Sequence, residues 1–152
     1  MFKKRKSIFE VEEGKLLSPK FDSKGLIPVI TTDYKSGEVL MHGYMNKIAF
    51  RKSIETKEAH YWSRSRKTLW HKGKTSGFVQ KIKDIRIDDD QDAVWLKVDI
   101  GNGASCHVGY KSCFYRSVSL GKANKIKLKF KEKKKKFDPN KVYKDQPNPT
   151  KL

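Results

Sequence analysis

Val94, Leu96, Val98 and Ile100 alternate without a break with Trp95, Lys97 and Asp99. A run of that period buries one face as a β-strand and leaves the other to solvent. What flanks the run limits how the strand is used. Before it stand Asp88-Asp89-Asp90-Gln91-Asp92, so the acidic residues belong at a strand end or hairpin turn. After it, Gly101-Asn102-Gly103 turns the chain toward Cys106. Residues 78–87 supply a partner strand on the far side of the acidic segment, with an alternation that falters at Ile82.

The chain from Phe21 onward completes the pattern. Leu26-Ile27-Pro28-Val29-Ile30 is a short apolar run whose proline argues for an edge strand. Asp33-Tyr34-Lys35-Ser36-Gly37 reads as a turn, and residues 38–44 as the second strand of a hairpin. Asn46 can cap a helix over residues 47–55, with Ile48, Ala49, Phe50 and Ile54 on one face. Residues 59–63 form an aromatic-rich strand, and no internal repeat is present. The expectation is a β-rich α+β single domain with one or two short helices, over residues 21–120. It lies between a basic N-terminal extension (1–20) and a lysine-rich mobile C-terminal tail (121–152).

Charge follows the same division. The 152 residues carry 35 Lys and Arg against 17 Asp and Glu, a net +18, and the excess gathers in Lys3-Lys4-Arg5-Lys6 and Lys133-Lys134-Lys135-Lys136. Such blocks repel themselves and bury little, which predicts mobile ends. They read as a solvated polycation, or as a site of weak, salt-sensitive, nonspecific nucleic-acid binding, with no recognition module to make that specific. Glu10, Glu12 and Glu13 stand where a signal peptide needs apolar residues. No run is long enough to span a membrane, and two cysteines build no disulfide framework. A reducing cytoplasm is the expected setting.

Several residue types here carry chemistry. In an extended segment the carboxylates of Asp88, Asp90 and Asp92 share a face. Packed so without a cation they repel and raise at least one pKa, a penalty that Mg²⁺ removes. The same pentapeptide also reads as a solvated acidic turn, and it lacks the glycine and distal glutamate of an EF-hand. Cys106 and Cys113 are seven apart, on opposite faces of any unbroken strand, so a bend at Gly109 is needed to bring both thiolates to one Zn²⁺. A third ligand must come from elsewhere, another subunit included; lone cysteines also serve as small buried hydrophobes. His107 and His71 are candidates for general base or proton shuttle, and also for satisfied structural histidines. His42 and His60 read as strand residues packed among aromatics. Arg64, Arg66 and Lys72, with Ser63, Ser65, Thr75 and Ser76, make a phosphate-binding stretch or a charged surface strand. Trp62 and Trp70 either stack on a purine or pack in the core.

Taken in order, Gly37-Glu38-Val39-Leu40-Met41, Glu58-Ala59-His60-Tyr61-Trp62-Ser63-Arg64-Ser65-Arg66, Leu69-Trp70-His71-Lys72-Gly73 with Thr75-Ser76-Gly77, Asp88 to Asp92, and Cys106-His107 through Ser112-Cys113-Phe114-Tyr115-Arg116 closely resemble phosphoribosyl-AMP cyclohydrolase, an enzyme of histidine biosynthesis. The resemblance covers residues 21–118 and leaves both basic ends outside it. It implies hydrolysis of the N1–C6 bond in the adenine ring of phosphoribosyl-AMP, a cytoplasmic, intertwined homodimer with sites shared between subunits, and a need for Zn²⁺ and Mg²⁺. Asp88, Asp90 and Asp92 would then hold Mg²⁺. Cys106 and Cys113 would hold Zn²⁺, joined by Asp89 of the partner subunit. Many relatives have cysteine at that last position, so an aspartate departs from the pattern, and His107 could replace or supplement it. Many relatives are also fused to a phosphoribosyl-ATP pyrophosphohydrolase, and 152 residues predict a monofunctional chain.

Two other classes compete. A basic nucleic-acid-binding β domain accounts for charge and aromatics but leaves the carboxylate triplet unexplained. A noncatalytic zinc-stabilised module uses the cysteines structurally.

Overall fold

The strand announced by the alternation, β6 (Val94–Asp99), lies inside a four-stranded sheet. The computed structural model describes residues 2–121, 126–150 and 152. In chain order its elements are α1 (Ile8–Glu12), β1 (Ile27–Asp33), β2 (Val39–Met45), α2 (Lys47–Thr56), β3 (His60–Ser63), β4 (Thr68–His71), β5 (Lys81–Ile87), β6, β7 (Arg116–Val118), β8 (Leu128–Phe130) and α3 (Pro139–Tyr143). The main sheet runs β2-β1-β6-β5, with β1 and β6 parallel and the outer pairs antiparallel. Two ribbons, β3-β4 and β7-β8, flank it. The domain is α+β and strand-rich, but the described residues carry three short helices rather than one or two.

Burial follows the period of each element. Val94, Leu96 and Val98 are buried while Trp95 is exposed. They pack with Ile27, Val29, Leu40, Met45 and Tyr61 beneath Ala49 and Phe50 of α2. Each fully buried aliphatic side chain contributes about 1.5–3 kcal/mol. Asn46 caps α2 by accepting from the Ala49 amide at 2.8 Å. Ile48 departs from the expected helix face and is exposed; the buried stripe is Ala49, Phe50 and Ser53. The faltering at Ile82 is a register shift between Ile82 and Asp84 in the β5-β6 pairing, where one extra residue restores the alternation.

The edge-strand expectation for residues 26–30 is overturned, because β1 lies between β2 and β6. Pro28 is tolerated there because pairing with β6 begins only at Val29, so the missing N–H falls outside that ladder.

The ends are anchored where apolar residues punctuate the charge. Phe2 packs on Phe21 and Phe50 with ring centroids 6.0 and 5.2 Å apart. Arg5 donates to the carbonyls of Ser18 and Asp90 at 2.8 and 2.9 Å. In the tail, β8 pairs with β7, and Phe137 packs on Phe78 at 5.1 Å and on Tyr143 at 5.9 Å. Aromatic side chains spaced among the lysines supply contacts that a pure lysine run lacks. Lys122–Lys125 and Lys151 of the expected tail, and Met1 of the extension, lie outside the described residues.

Candidate functional site

Cys106 and Cys113 are brought together by the loop that follows β6. Gly103 turns back on Ile100 (N···O 2.9 Å), and the Gly109 amide donates to the Cys106 carbonyl at 3.0 Å. Gly109 has φ +103, a conformation that L side chains rarely adopt, and it provides the bend that the odd spacing requires. The Cys106 amide then donates to Tyr110 at 3.2 Å, and the Cys113 amide to Leu40 of β2 at 2.7 Å. The two thiols lie close enough to interact electrostatically, and Cys113 Sγ donates to the Ser105 carbonyl at 3.9 Å. The interaction with Cys113 outweighs burial and, with the Val108 amide and the Lys72 ammonium, brings Cys106 down to about 7. Cys113, through its interaction with Cys106 and then burial, is pushed up. Two interacting thiols, one with its pKa lowered, make a donor pair suited to a soft cation such as Zn²⁺.

Lys72 was expected among the phosphate-binding residues. It is 3% exposed, just beyond β4, with its ammonium acting on both thiols. Burial lowers its pKa, while Cys113 and Cys106 oppose that shift. The other members of the stretch are spread out. Arg64, Ser65 and Arg66 occupy the exposed tip between β3 and β4, beside Ser63. Arg64 lies 4.1 Å from the Tyr44 ring, and Arg66 donates to Ser63 Oγ at 3.2 Å. Thr75 is exposed, and Ser76 Oγ accepts from the Phe78 amide at 3.4 Å.

The acidic residues form the β5-β6 turn, closed by Asp88 N–H donating to Ala93 at 3.1 Å. The backbone is a turn and not extended: Gln91 N–H donates to Asp88 at 3.2 Å, and Gln91 has φ +59. The carboxylates consequently group differently from a strand face. Oxygens of Asp88, Asp89 and Asp90 lie within 4.8 Å of one another. Asp92 instead shares the Lys20 ammonium with Asp90, each at 3.5 Å. Partial desolvation and then the charges of Asp90 and Asp88 raise the Asp92 carboxyl. Crowded hard oxygens of this kind fit Mg²⁺. The turn and the thiol pair lie at opposite ends of β6, whose six residues span roughly 20 Å. Asp89 therefore does not meet the cysteines of its own chain.

His71 and His60 pair across the β3-β4 ribbon with rings stacked at 4.4 Å. His71 Nε2 lies 2.8 Å from Glu58 Oε2, although the ring N–H is not aligned for a good hydrogen bond. His107 has a buried Nε2 without a partner among the described residues, with the Asn148 side chain close enough to influence the ring. Burial, then the Lys72 charge, lowers the His107 pKa, so the ring is neutral at pH 7.

Sequence reasoning passed over three supporting groups. Gln80, fully buried, accepts from Tyr61 Oη at 2.7 Å and donates to Ser105 Oγ at 2.9 Å. Gln91 accepts from Ser18 N–H at 2.7 Å and donates to Val11 O at 2.9 Å, tying the acidic turn to the N-terminal extension. Glu132 accepts from the amides of Lys111 and Ser112. Only Glu132 carried a signal, as a lone acid within a lysine run.

A family model described as phosphoribosyl-AMP cyclohydrolase matches residues 41–115. The curated phosphoribosyl-AMP cyclohydrolase of Rhodopseudomonas palustris (strain TIE-1) is 52% identical over 134 residues, 88% of this chain and 89% of its own. That of Nitrobacter winogradskyi is 50% identical over 138 residues, 91% of this chain and 94% of its own.

Proposed function

The chain belongs to the phosphoribosyl-AMP cyclohydrolase family of hydrolases, and on that premise we propose that it opens the adenine ring of phosphoribosyl-AMP at the N1–C6 bond, a step of L-histidine biosynthesis. The carrying observation is that the loop bent at Gly109 draws Cys106 and Cys113 into one interacting pair, with the buried Lys72 ammonium acting on both.

Cys106 and Cys113 would hold Zn²⁺ with Asp89 of the partner subunit, and Asp88, Asp90 and Asp92 would hold Mg²⁺. The separation of turn and thiols along β6 supports a site completed by a second copy, as do the exposed Phe114, Val118 and Phe130 beside the thiol loop. Bound zinc supplies Lewis acidity that makes a water nucleophilic at neutral pH. The chain's own groups do the remaining work. Neutral His107 Nε2 takes a proton from the water that adds at C6 and returns one to N1 as the C–N bond breaks. His71, beside Glu58, is the second candidate for that transfer. Lys72 offsets the negative charge of the sulfurs, and Arg64 and Arg66 offer guanidinium forks to phosphate. Among the described residues neither arginine has a carboxylate at ion-pair distance, and beyond the Arg66 Nε bond to Ser63 Oγ their guanidinium donors stay available to an anion. Ser63, Ser65, Thr75 and Ser76 add small hydroxyl donors.

The test is turnover of phosphoribosyl-AMP by the full chain, stripped of metal and restored with Zn²⁺, Mg²⁺ or both. Ring opening that returns only with zinc is expected. No turnover from folded, metal-replete protein refutes the reading. His107→Ala is expected to lower kcat far more than it alters KM.

A further inference from the structure

We propose that Glu132, in the lysine-rich tail, is a positioning residue for the thiol pair: its carboxylate grips the backbone of the loop that carries Cys113 and so sets how that thiol meets Cys106. The inference rests on the reading of these cysteines as metal ligands.

Cys113 is held from two sides. On one side the loop hangs from β2, with Ser112 Oγ donating to Val39 O and Cys113 N–H to Leu40 O, both at 2.7 Å. On the other, the Lys111 and Ser112 amides have no sheet partner. They donate one to each oxygen of Glu132, at 2.8 Å in both cases. Bonds from amides to a carboxylate are roughly twice as strong as neutral ones. A ligand whose flanking backbone is fixed on both sides keeps its direction, and that is how groups behind a metal ligand tune a site.

The tail is built to deliver this carboxylate. Pairing of β8 with β7 and the Lys131 amide on Tyr115 O (2.8 Å) set the position of residue 132. Beyond it, Lys136 N–H donates to Gly109 O at 2.6 Å, and a Cβ on Gly109 would lie 2.5 Å from Phe137 O. The tail therefore touches the loop both at Gly109 and at Lys111–Ser112. Glu132 is half-buried between exposed Lys131 and Lys133. Among the described residues its carboxylate meets these amides and forms no ion pair with the lysines around it. A solvated lysine run has no use for one inward-facing acid; a loop with two unpaired amides does.

The experiment compares the full-length wild type with Glu132→Ala, Glu132→Gln and, as control, Lys133→Ala. Ellman's reagent reports thiol reactivity in the metal-free protein, and Co²⁺ reports the site through its thiolate charge-transfer and d–d bands. Folding is followed by circular dichroism. Glu132→Ala is expected to raise the thiol reaction rate and weaken Co²⁺ binding, each about tenfold, with altered d–d bands. Glu132→Gln, which keeps one strong acceptor, falls between, and Lys133→Ala matches the wild type. If Glu132→Ala does not fold, Glu132→Gln decides. Folded variants with wild-type thiol rates and cobalt spectra overturn the proposal, even with a lowered melting temperature. A wild type without any thiolate–cobalt band refutes the metal reading instead, and Glu132 is then judged on thiol rates alone.

Discussion

Tyr61→Phe tests whether the hydrogen-bonded chain beneath the thiol loop is a structural unit. The Tyr61 hydroxyl, in a side chain 1% exposed, pairs with Thr31 Oγ1 at 2.7 Å and donates to Gln80 Oε1 at 2.7 Å. Gln80 Nε2 carries the chain on to Ser105 Oγ at 2.9 Å, and the Ser105 carbonyl faces Cys113 Sγ at 3.9 Å. Removing the hydroxyl keeps the ring but strands the Gln80 oxygen and the Thr31 hydroxyl away from water. Each stranded group costs about 1–3 kcal/mol, and partial rearrangement brings the total to about 2–4 kcal/mol. For a chain of this size that lowers the melting temperature by about 5–15 °C. Denaturant unfolding at one fixed protein concentration measures it. Gln80→Leu alone should also be costly, because it strands Ser105 Oγ and leaves Tyr61 Oη with Thr31 as its one remaining partner among the described residues. The double variant removes the shared bond from both sides, so its cost should fall below the sum by at least about 1 kcal/mol. Additive costs, or a Tyr61→Phe change under about 0.5 kcal/mol, would refute the network argument.

Three further outcomes follow from the geometry. Gly73→Ala places a Cβ 2.3–2.5 Å from the backbone of Phe78 and Val79 at φ +90, so the turn behind Lys72 must open. Loss of turnover with a drop in unfolding free energy of more than about 2 kcal/mol is the expected result of paired activity and denaturation assays. In the metal-free protein, thiolate absorbance is expected to rise around pH 7 for Cys106. Cys113→Ala, which deletes the main cause of that depression, should move the rise upward. For Asp33, burial pulls the carboxyl up, but the Lys35 amide, the Ser36 hydroxyl and the Lys111 ammonium together hold it below its ordinary value. Its stabilising contribution is then complete above the unfolded pKa near 4 and lost as pH falls through the folded value. Asp33→Asn should lower stability at pH 7 and flatten the acid limb of a pH–stability curve.

Local rules carried much of the fold. The alternation of Val94 to Ile100 gave β6, the cap at Asn46 gave α2, and the turn residues at 33–37 and 101–103 gave the reversals, because each depends on neighbours within a few positions. The register shift near Ile82 was visible as a broken period. Pro28 misled because its cost depends on where a strand 66 positions away begins to pair, a fact that no local window contains. The thiols, carboxylates and imidazoles were likewise legible, since chemistry is a property of residue type. Their arrangement was not. Whether Lys72 faces a phosphate or two sulfurs is set by burial. Whether Asp88 groups with Asp89 and Asp90 or with Asp90 and Asp92 is set by a left-handed turn at Gln91. By itself the sequence determined the strand period, the principal turns and the inventory of reactive groups. Only the tertiary structure decided which distant groups share a desolvated space, such as Glu132 with the Cys113 loop, because those contacts form when the whole chain buries its apolar faces together.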